Sequence, residues 1–288
     1  MEIFESDTLP VPEATSEKEY TYPREYFDIQ VSFAKKMLEL SEADNLPSAL
    51  LKFTSLYRRI TDVKYDPEKQ DERWTTIMEN PDLDKKTTEV LWNAYTSNKN
   101  HEYSQKEFSD DEHHFGSYIY KDAIDKETGK QKIELHFNIR NRGRGKSDFS
   151  REHTNERIED LKRLFSYVKN RMDNDTAFRP EFVTLGSWMN NLAGVEDTLP
   201  PTFVESGRIL TPPNLSFNGD SLWGQFLTIS GKINQGRQKD FAEAVSKSKN
   251  LSELLDSFPI KVVLFQAPIN VFFKFFLADE ETLDSQSS

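Results

Sequence analysis

The chain lacks cysteine altogether, which excludes disulfide bonds, thiolate nucleophiles and thiolate metal ligands. It also lacks an apolar run that could span a bilayer, because the longest one, "IKVVLFQAPINVFFKFFL", is interrupted by two Lys, a Gln, an Asn and a Pro. The first residues, "MEIFESDTLPVPEATSEKE", carry neither the basic start nor the apolar run of a secretory signal. We therefore expect a soluble, cytoplasmic protein.

Positive charge is in deficit, with 37 Lys and Arg against 49 Asp and Glu, a net charge of −12. An acidic surface repels nucleic acid and anionic membranes at long range, so we expect neither as a partner. Aromatic residues are plentiful, and the 21 Phe, 10 Tyr and 4 Trp predict a core filled by rings. A chain of 288 residues is long enough for one large or two modest domains.

Composition and periodicity predict an α+β fold, with a helical N-terminal part and a mixed, largely antiparallel sheet flanked by helices. In the first helix Phe27, Val31, Ala34 and Leu38 fall on one stripe, and Asn45 is a candidate N-cap for the second. Proline, acidic and small polar residues dominate both ends of the chain. The predicted sections are an extended arm (1–24), a helical part (25–110), an α+β domain (111–278) and a disordered tail (279–288).

The clearest strand signal lies in "KIELHFNIR", the second strand of a predicted antiparallel hairpin that turns at Thr128–Lys130. Further strands are predicted in "EFVTLGSW", "GRIL", "SLWGQFLTIS" and "IKVVLF". Helices are predicted after Ser150, which is a candidate N-cap, and in "QKDFAEAVSKSK" and "NLSELLDSF". Residues 268–277 fit either a helix opened by Pro268 or a strand.

The hairpin strand carries a polar row on one face, because side chains alternate along a strand. A carboxylate two residues from an imidazole orients the ring and raises its pKa, as general base catalysis requires. The alternative is a solvent-facing strand surface, which is normal in antiparallel sheets. The row consists of Glu134 and His136 as candidate catalytic residues, Asn138 as a candidate substrate contact, and Arg140.

The polar row leads into a basic, glycine-bearing loop that precedes a helix. Such a loop can direct backbone N–H groups and guanidinium groups at a phosphate, and the helix dipole favours the anion. A mobile, solvated loop has the same composition, so that alternative stays open. The candidate phosphate-binding residues are Arg140, Arg142, Gly143, Arg144, Gly145 and Lys146.

The run from Arg140 to Gly145 fits R-x-x-G-x-G and resembles the pyrophosphate loop of the acetyl-CoA-dependent N-acyltransferase superfamily, over residues 115–230. The resemblance implies acetyl-CoA or another acyl-CoA as cofactor, held by the amides of Arg142 to Gly145. In an enzyme of this kind we expect Glu134 and His136 of the polar row beside the acceptor and Trp188, a candidate substrate contact, near the acyl channel. The segments "SREHTNERIEDLKRLF", "GSWMNN", "LPPTF" and "SLWGQFL" also resemble a set of bacterial proteins without assigned function, which implies no chemistry.

Two further motifs carry weaker signals. In "DDEHH" adjacent side chains diverge, so we expect an acidic surface turn and no metal site. In "GSWMNN" Trp188 is either a ligand-stacking ring or a core residue. The sequence thus supports two hypotheses. One is an acyltransferase-like enzyme with a small phosphate-bearing ligand; the other is a non-catalytic binding or scaffold protein whose aromatic C-terminal run contacts a protein partner or a second copy.

Overall fold

The computed structural model describes residues 22–63, 66, 69–97, 112–138, 149–228 and 230–278. In this part of the chain twelve α-helices accompany one six-stranded mixed sheet, which confirms the predicted α+β class. The helices are α1 (Arg24–Glu39), α2 (Leu46–Phe53), α3 (Leu56–Thr61), α4 (Glu72–Met78), α5 (Thr87–Ser97), α6 (Thr154–Asn174), α7 (Ala193–Glu196), α8 (Pro201–Glu205), α9 (Asp220–Trp223), α10 (Gln235–Lys247), α11 (Leu251–Asp256) and α12 (Ile269–Phe276). The strands are β1 (Glu112–Phe115), β2 (Tyr118–Ile124), β3 (Gln131–Phe137), β4 (Phe182–Ser187), β5 (Arg208–Ile209) and β6 (Val263–Pro268). No helix among these combines the length and apolarity that crossing a bilayer requires.

The N-terminal helices form where local signals predict them. The stripe of α1 faces the core, with Phe27, Val31 and Ala34 fully or almost fully buried. Asn45 caps α2, because its Oδ1 accepts a hydrogen bond from the backbone N–H of Ser48 at 2.9 Å. Both predictions are confirmed.

The core of these helices is completed by residues 217–262, which follow much later in the chain. The ring of Phe33 on α1 lies 5.5 Å from Trp223, 6.1 Å from Phe241 and 5.2 Å from Phe258, measured between ring centroids. Helices α9 to α11 therefore pack with the N-terminal helices in one aromatic cluster. The domain limits drawn from the sequence stay a prediction.

One segment of this cluster differs from its sequence prediction. "SLWGQFLTIS" was expected to be a strand, but it forms α9 and a 3-10 helix over Gly224–Phe226. A short apolar run does not distinguish a buried strand from a buried helix by periodicity, and here Leu222, Trp223 and Phe226 reach the core at helical spacing. A Cβ added at Gly224 would lie 3.3 Å from Trp188 Nε1, so the backbone passes close to this ring.

The sheet has the order β1-β2-β3-β4-β6-β5, in which β3 and β4 are parallel and every other neighbouring pair is antiparallel. The predicted hairpin is confirmed, and its turn places Gly129 at φ +70°. Helix α6 connects the two parallel strands. Together with α12 it covers the apolar face, where Tyr118, Ile133 and Val183 are buried.

The start of α6 corrects the predicted cap. Ser150 precedes a 3-10 helix over Arg151–His153, its hydroxyl makes no cap hydrogen bond, and α6 begins only at Thr154. The backbone explains the delay, because the N–H of His153 already donates to the carbonyl of Ser150 at 3.2 Å. At the other end of the chain, Pro268 does open a helix, α12, which decides between the two alternatives for residues 268–277.

Candidate functional site

Strands β3 and β4 separate before either of them ends. Their last matched pair is Leu135 with Leu185, although β3 continues beside β2 to Phe137 and β4 continues beside β6 to Ser187. We call the separated ends, residues 136–137 and 186–187, the fork. The matched pairs of β3 and β4 therefore end two residues before either strand does, on the side where β3 leads into the basic loop.

His136 is the first residue of β3 in the fork, and its counterpart on β4 is Gly186, which has no side chain. The imidazole is half-buried and its Nε2 is shielded from solvent. The carboxylate of Glu134, earlier in the polar row, lies 2.8 Å from Lys132 Nζ. The structure thus brings the two candidate catalytic residues to one face of the sheet, with His136 at the fork.

The stretch "DDEHH" is a strand where it is described, so the expected surface turn is wrong for its two histidines. His113 and His114 belong to β1 and pair with Tyr120 and Ile119 of β2. Their rings diverge, as the alternation of a strand requires. The His113 ring stacks on Tyr120 at 4.5 Å, whereas His114 shares a row with Ile119 and His136. Asp110 and Asp111 lie outside the described residues.

The two ends of the basic loop meet each other. The ring of Phe137, before the loop, makes an edge-to-face contact with the ring of Phe149, after it, at 4.9 Å between centroids. Asn138 is tied to the β1–β2 turn, because its backbone N–H donates to Ser117 O at 2.8 Å and its Nδ2 to Gly116 O at 3.0 Å. The side chain predicted to contact substrate therefore also holds this turn. The predicted phosphate-binding residues, Arg140, Arg142, Gly143, Arg144, Gly145 and Lys146, lie outside the described residues.

The chain leaving the loop is held by a buried arginine. Arg157, in the first turn of α6, is fully buried and donates hydrogen bonds to Ser150 O at 2.9 Å and Gly194 O at 2.5 Å. Its guanidinium also donates to Thr154 Oγ1 at 3.3 Å. The backbone of α7 approaches so closely that a Cβ on Gly194 would lie 2.4 Å from Phe149 O. The guanidinium group of Arg157 thus joins three parts of the chain: the end of the basic loop at Phe149 and Ser150, which we call the loop exit, the start of α6, and α7.

Asp160, about one turn after Arg157 in α6, binds the same β1–β2 turn that Asn138 binds. Its Oδ2 accepts a hydrogen bond from the backbone N–H of Ser117 at 2.8 Å, and Oδ1 pairs with Arg163. The neighbouring Tyr118 is buried, and its hydroxyl lies 3.1 Å from Thr198 Oγ1. Burial raises the pKa of Tyr118 to about 12, although the hydrogen bond with Thr198 and the charge of Arg157 oppose the rise. Tyr118 is therefore neutral at physiological pH.

The motif "GSWMNN" directly follows the β4 side of the fork. Asn190 is almost fully buried, and its Nδ2 donates to Leu185 O and to Val263 O, both at 2.8 Å. Trp188 is half-buried and packs against both hydrophobic cores, with the Arg237 guanidinium 5.7 Å from its ring. The tryptophan predicted to contact substrate thus lies near the fork and also joins the two cores.

Asn190→Ala should lower the free energy of unfolding by about 2 kcal/mol, because a buried and a partly buried backbone carbonyl lose their shared donor. The matched control is Asn191→Ala, since Asn191 Nδ2 also donates to two carbonyls, those of Trp188 and Lys261, but from an exposed position where water replaces it. We expect a loss below about 1 kcal/mol there. Urea unfolding of both variants measures the difference, and equal losses would contradict the structural role of Asn190.

The aromatic C-terminal run is mostly core. On α12, Ile269, Phe272 and Phe276 are buried, and the Phe272 ring stacks on Phe165 of α6 at 4.6 Å. Phe275 is 47% exposed on the outer side of this helix. Most of the aromatic run therefore packs α12 onto α6 inside the protein and is not available to contact a partner.

The contacts of Arg157, Asp160, Gly194 and Asn190 were not predicted from the sequence. A signal existed for Arg157, because it stands four residues before Leu161 and so lies on the stripe that faces the core. Asp160, Gly194 and Asn190 gave no signal for these roles, because each depends on a contact with a segment 37 or more residues away.

Comparison of the chain with protein-family models yields no match, and comparisons with curated proteins and with solved structures yield none either.

Proposed function

We propose that this chain binds an acyl-CoA at the fork and transfers the acyl group to an amine. The observation that carries the proposal is the separation of β3 and β4 beyond Leu135 and Leu185, at the end of β3 that enters the basic loop. The order of elements supports it. Strand β3, helix α6 and the parallel strand β4 follow one another in the order that the resemblance implies, although "SLWGQFLTIS", a predicted strand in the same range, is helical.

The residues at the fork fit such a ligand. Gly186 leaves the β4 side without a side chain, and the separated strand edges offer backbone N–H and C=O groups to the amides of an extended ligand. The arginines and Lys146 of the basic loop would hold the phosphates near the start of α6, where the helix dipole favours an anion. The bound group would supply an acyl carbon activated as a thioester.

His136 is the candidate base. Its ring is half-buried in the fork, and in this proposal an imidazole nitrogen takes the proton that an acceptor amine loses on acylation. Glu134, on the same face, adds negative charge to the row and is balanced by Lys132 at 2.8 Å.

The test of binding is a thermal shift with acetyl-CoA, CoA, ADP and adenosine. Wild type at a ligand concentration of 100 Kd should gain about 2.7 kcal/mol, which raises Tm by about 5 °C or more for a chain of this size. Arg142→Glu plus Arg144→Glu should abolish the shift with the three phosphate-bearing ligands. Lys239→Glu plus Lys249→Glu, at two exposed lysines outside the site, makes the same change in net charge and should keep it.

His136→Asn separates binding from chemistry. We expect it to keep the thermal shift with acetyl-CoA and to slow thiol release in the presence of an amine by about 100-fold or more, the usual contribution of a general base. A wild-type protein that shows no shift with any phosphate-bearing ligand would contradict the proposal. That result would favour the non-catalytic binding or scaffold protein.

A further inference from the structure

A groove lies at the edge of the sheet where β5 ends. Strand β5 pairs with only Val263 and Leu264 of β6, so from Phe265 onward this side of β6 has no neighbouring strand in the described part of the chain. The groove beside it holds about 490 Å³ and is open to solvent, and this volume is in the range of small-ligand sites. The fork residues do not line it. Its lining includes Phe182, Ser206, Arg208, Gln266 and Pro268.

The backbone of Gln266 points into the groove. Its N–H donates to Ser206 Oγ at 2.8 Å, on the side of β6 that β5 leaves uncovered. The C=O of a strand residue points to the same side as its N–H. Among the residues that the structure describes, none donates a hydrogen bond to this carbonyl. The groove therefore presents a hydrogen-bond acceptor to a ligand.

Arg208 supplies a positive charge at one end of the groove. Its side chain is exposed and has no ion pair or hydrogen bond within the described ranges, whereas Arg171 is paired with Asp122 at 2.6 Å. The carboxylate at the other end of the groove, that of Glu181, is already paired with Lys130 Nζ at 2.6 Å. A guanidinium binds a carboxylate through two parallel N–H···O bonds. The groove is therefore matched to a carboxylate of a ligand.

We propose that the groove binds the C-terminal end of a peptide, at a site separate from the fork. The terminal carboxylate pairs with the guanidinium of Arg208, and the last amide N–H donates to the carbonyl of Gln266. The peptide lies along β6 and runs antiparallel to it, in line with β5, as extended segments do when they add to a sheet edge. An earlier apolar side chain contacts Phe182 and Pro268, which are paired across β4 and β6.

The spacing of the two polar groups suits a single residue at a peptide end. Arg208 is opposite Leu264, and Gln266 follows two residues later, about 7 Å along the strand. The long arginine side chain spans this distance, so both groups reach the same ligand residue. A fully ionised phosphate carries acceptors only, and the carbonyl of Gln266 would repel it. A peptide end carries an amide donor two bonds from its carboxylate carbon and so satisfies both groups.

The experiment titrates the full chain into the tripeptide Leu-Ala-Ala, labelled with a fluorophore at its N-terminus, and follows fluorescence polarisation. The free acid should bind about 10-fold more tightly than the same peptide ending in an amide, because the amide loses the charge-assisted pair with Arg208. Arg208→Gln should weaken binding of the free acid by a similar factor. Arg58→Gln is the matched control, since Arg58 is an exposed arginine of α3 that does not line the groove, and it should leave the affinity unchanged.

A third peptide tests the carbonyl of Gln266. Its last amide is replaced by an ester, which removes the N–H donor and keeps the carboxylate. We expect the ester to bind about fivefold more weakly than the amide-linked acid. An ester that binds equally well would overturn the proposal of a peptide, because any carboxylate would then suffice.

The other outcomes are equally decisive. Equal affinity for the acid and the C-terminal amide would overturn the proposal, as would unchanged affinity in Arg208→Gln or an equal loss in Arg58→Gln. Absence of binding with the protein at millimolar concentration would overturn it too. None of these measurements involves CoA, so their result is independent of the proposed acyl-CoA site.

Discussion

Gly116→Ala should lower the free energy of unfolding by about 3 to 4 kcal/mol, one of the two largest effects that we expect from a single added methyl group. Gly116 lies in the β1–β2 turn at φ +53°, where an L-residue costs about 1 to 2 kcal/mol. The new Cβ would lie 1.9 Å from Asp160 Oδ2. The carboxylate must therefore move away and lose its hydrogen bond from Ser117 N, which accounts for about 2 kcal/mol more.

The control for Gly116 is Gly129→Ala, in the β2–β3 turn. Gly129 has a similar positive φ of +70°, but nothing lies within 4 Å of an added Cβ. We expect a loss of only about 1 kcal/mol there. Urea unfolding of both variants isolates the contribution of the Asp160 contact. Equal losses would show that backbone strain alone explains the lower stability of Gly116→Ala. The Asp160 carboxylate would then move away from the added methyl group without a measurable cost.

Gly194→Ala should produce the second large loss, about 3 kcal/mol of the free energy of unfolding. The added Cβ would meet the backbone carbonyl of Phe149 at 2.4 Å, and a backbone atom cannot rotate away as a flexible side chain does. Helix α7 or the loop exit must shift, which also disturbs the bond from Arg157 to Gly194 O. If the proposed function holds, the variant should in addition bind CoA less tightly at temperatures where it is folded.

Gly236→Ala is the control for Gly194, because both glycines lie in the first turn of a helix. The nearest atom to a Cβ on Gly236 is Asn234 Oδ1, at 3.6 Å, which is ordinary van der Waals contact. Alanine there should stabilise the protein slightly, by about 0.5 kcal/mol, since glycine is the poorer helix former. Chemical denaturation measures the free energy of unfolding of Gly194→Ala and of Gly236→Ala, and titration calorimetry measures the affinity of Gly194→Ala for CoA. Unchanged stability of Gly194→Ala would contradict the close approach of α7 to Phe149.

The candidate site could be predicted only in part. Alternation along "KIELHFNIR" was enough to place Glu134 and His136 on one face, because the side-chain period of a strand depends on the strand alone. It was not enough to place His136 at the fork. That depends on where the pairing of β3 with β4 stops, and the two strands are separated by the whole of α6.

Two predictions made from residue types alone were wrong. Ser150 has the residue type of an N-cap, but the carbonyl of Ser150 is bound by Arg157 and by the N–H of His153, and α6 begins at Thr154. "SLWGQFLTIS" has the residue types of a buried strand. It is helical because the aromatic cluster around Phe33 accepts Trp223 and Phe226 from that direction. In both cases the deciding contact comes from another part of the chain.

The sequence by itself determined the α+β class, the stripe of α1, the Asn45 cap and the β2–β3 hairpin. Each of these rests on periodicity, capping or turn chemistry within a few residues, which the chain carries locally. Only the tertiary structure decided the fork, the joining of residues 217–262 to the N-terminal core, and the group formed by Gly194, Phe149 and Arg157. These depend on which distant segments meet and at what register, and neither residue type nor spacing specifies that.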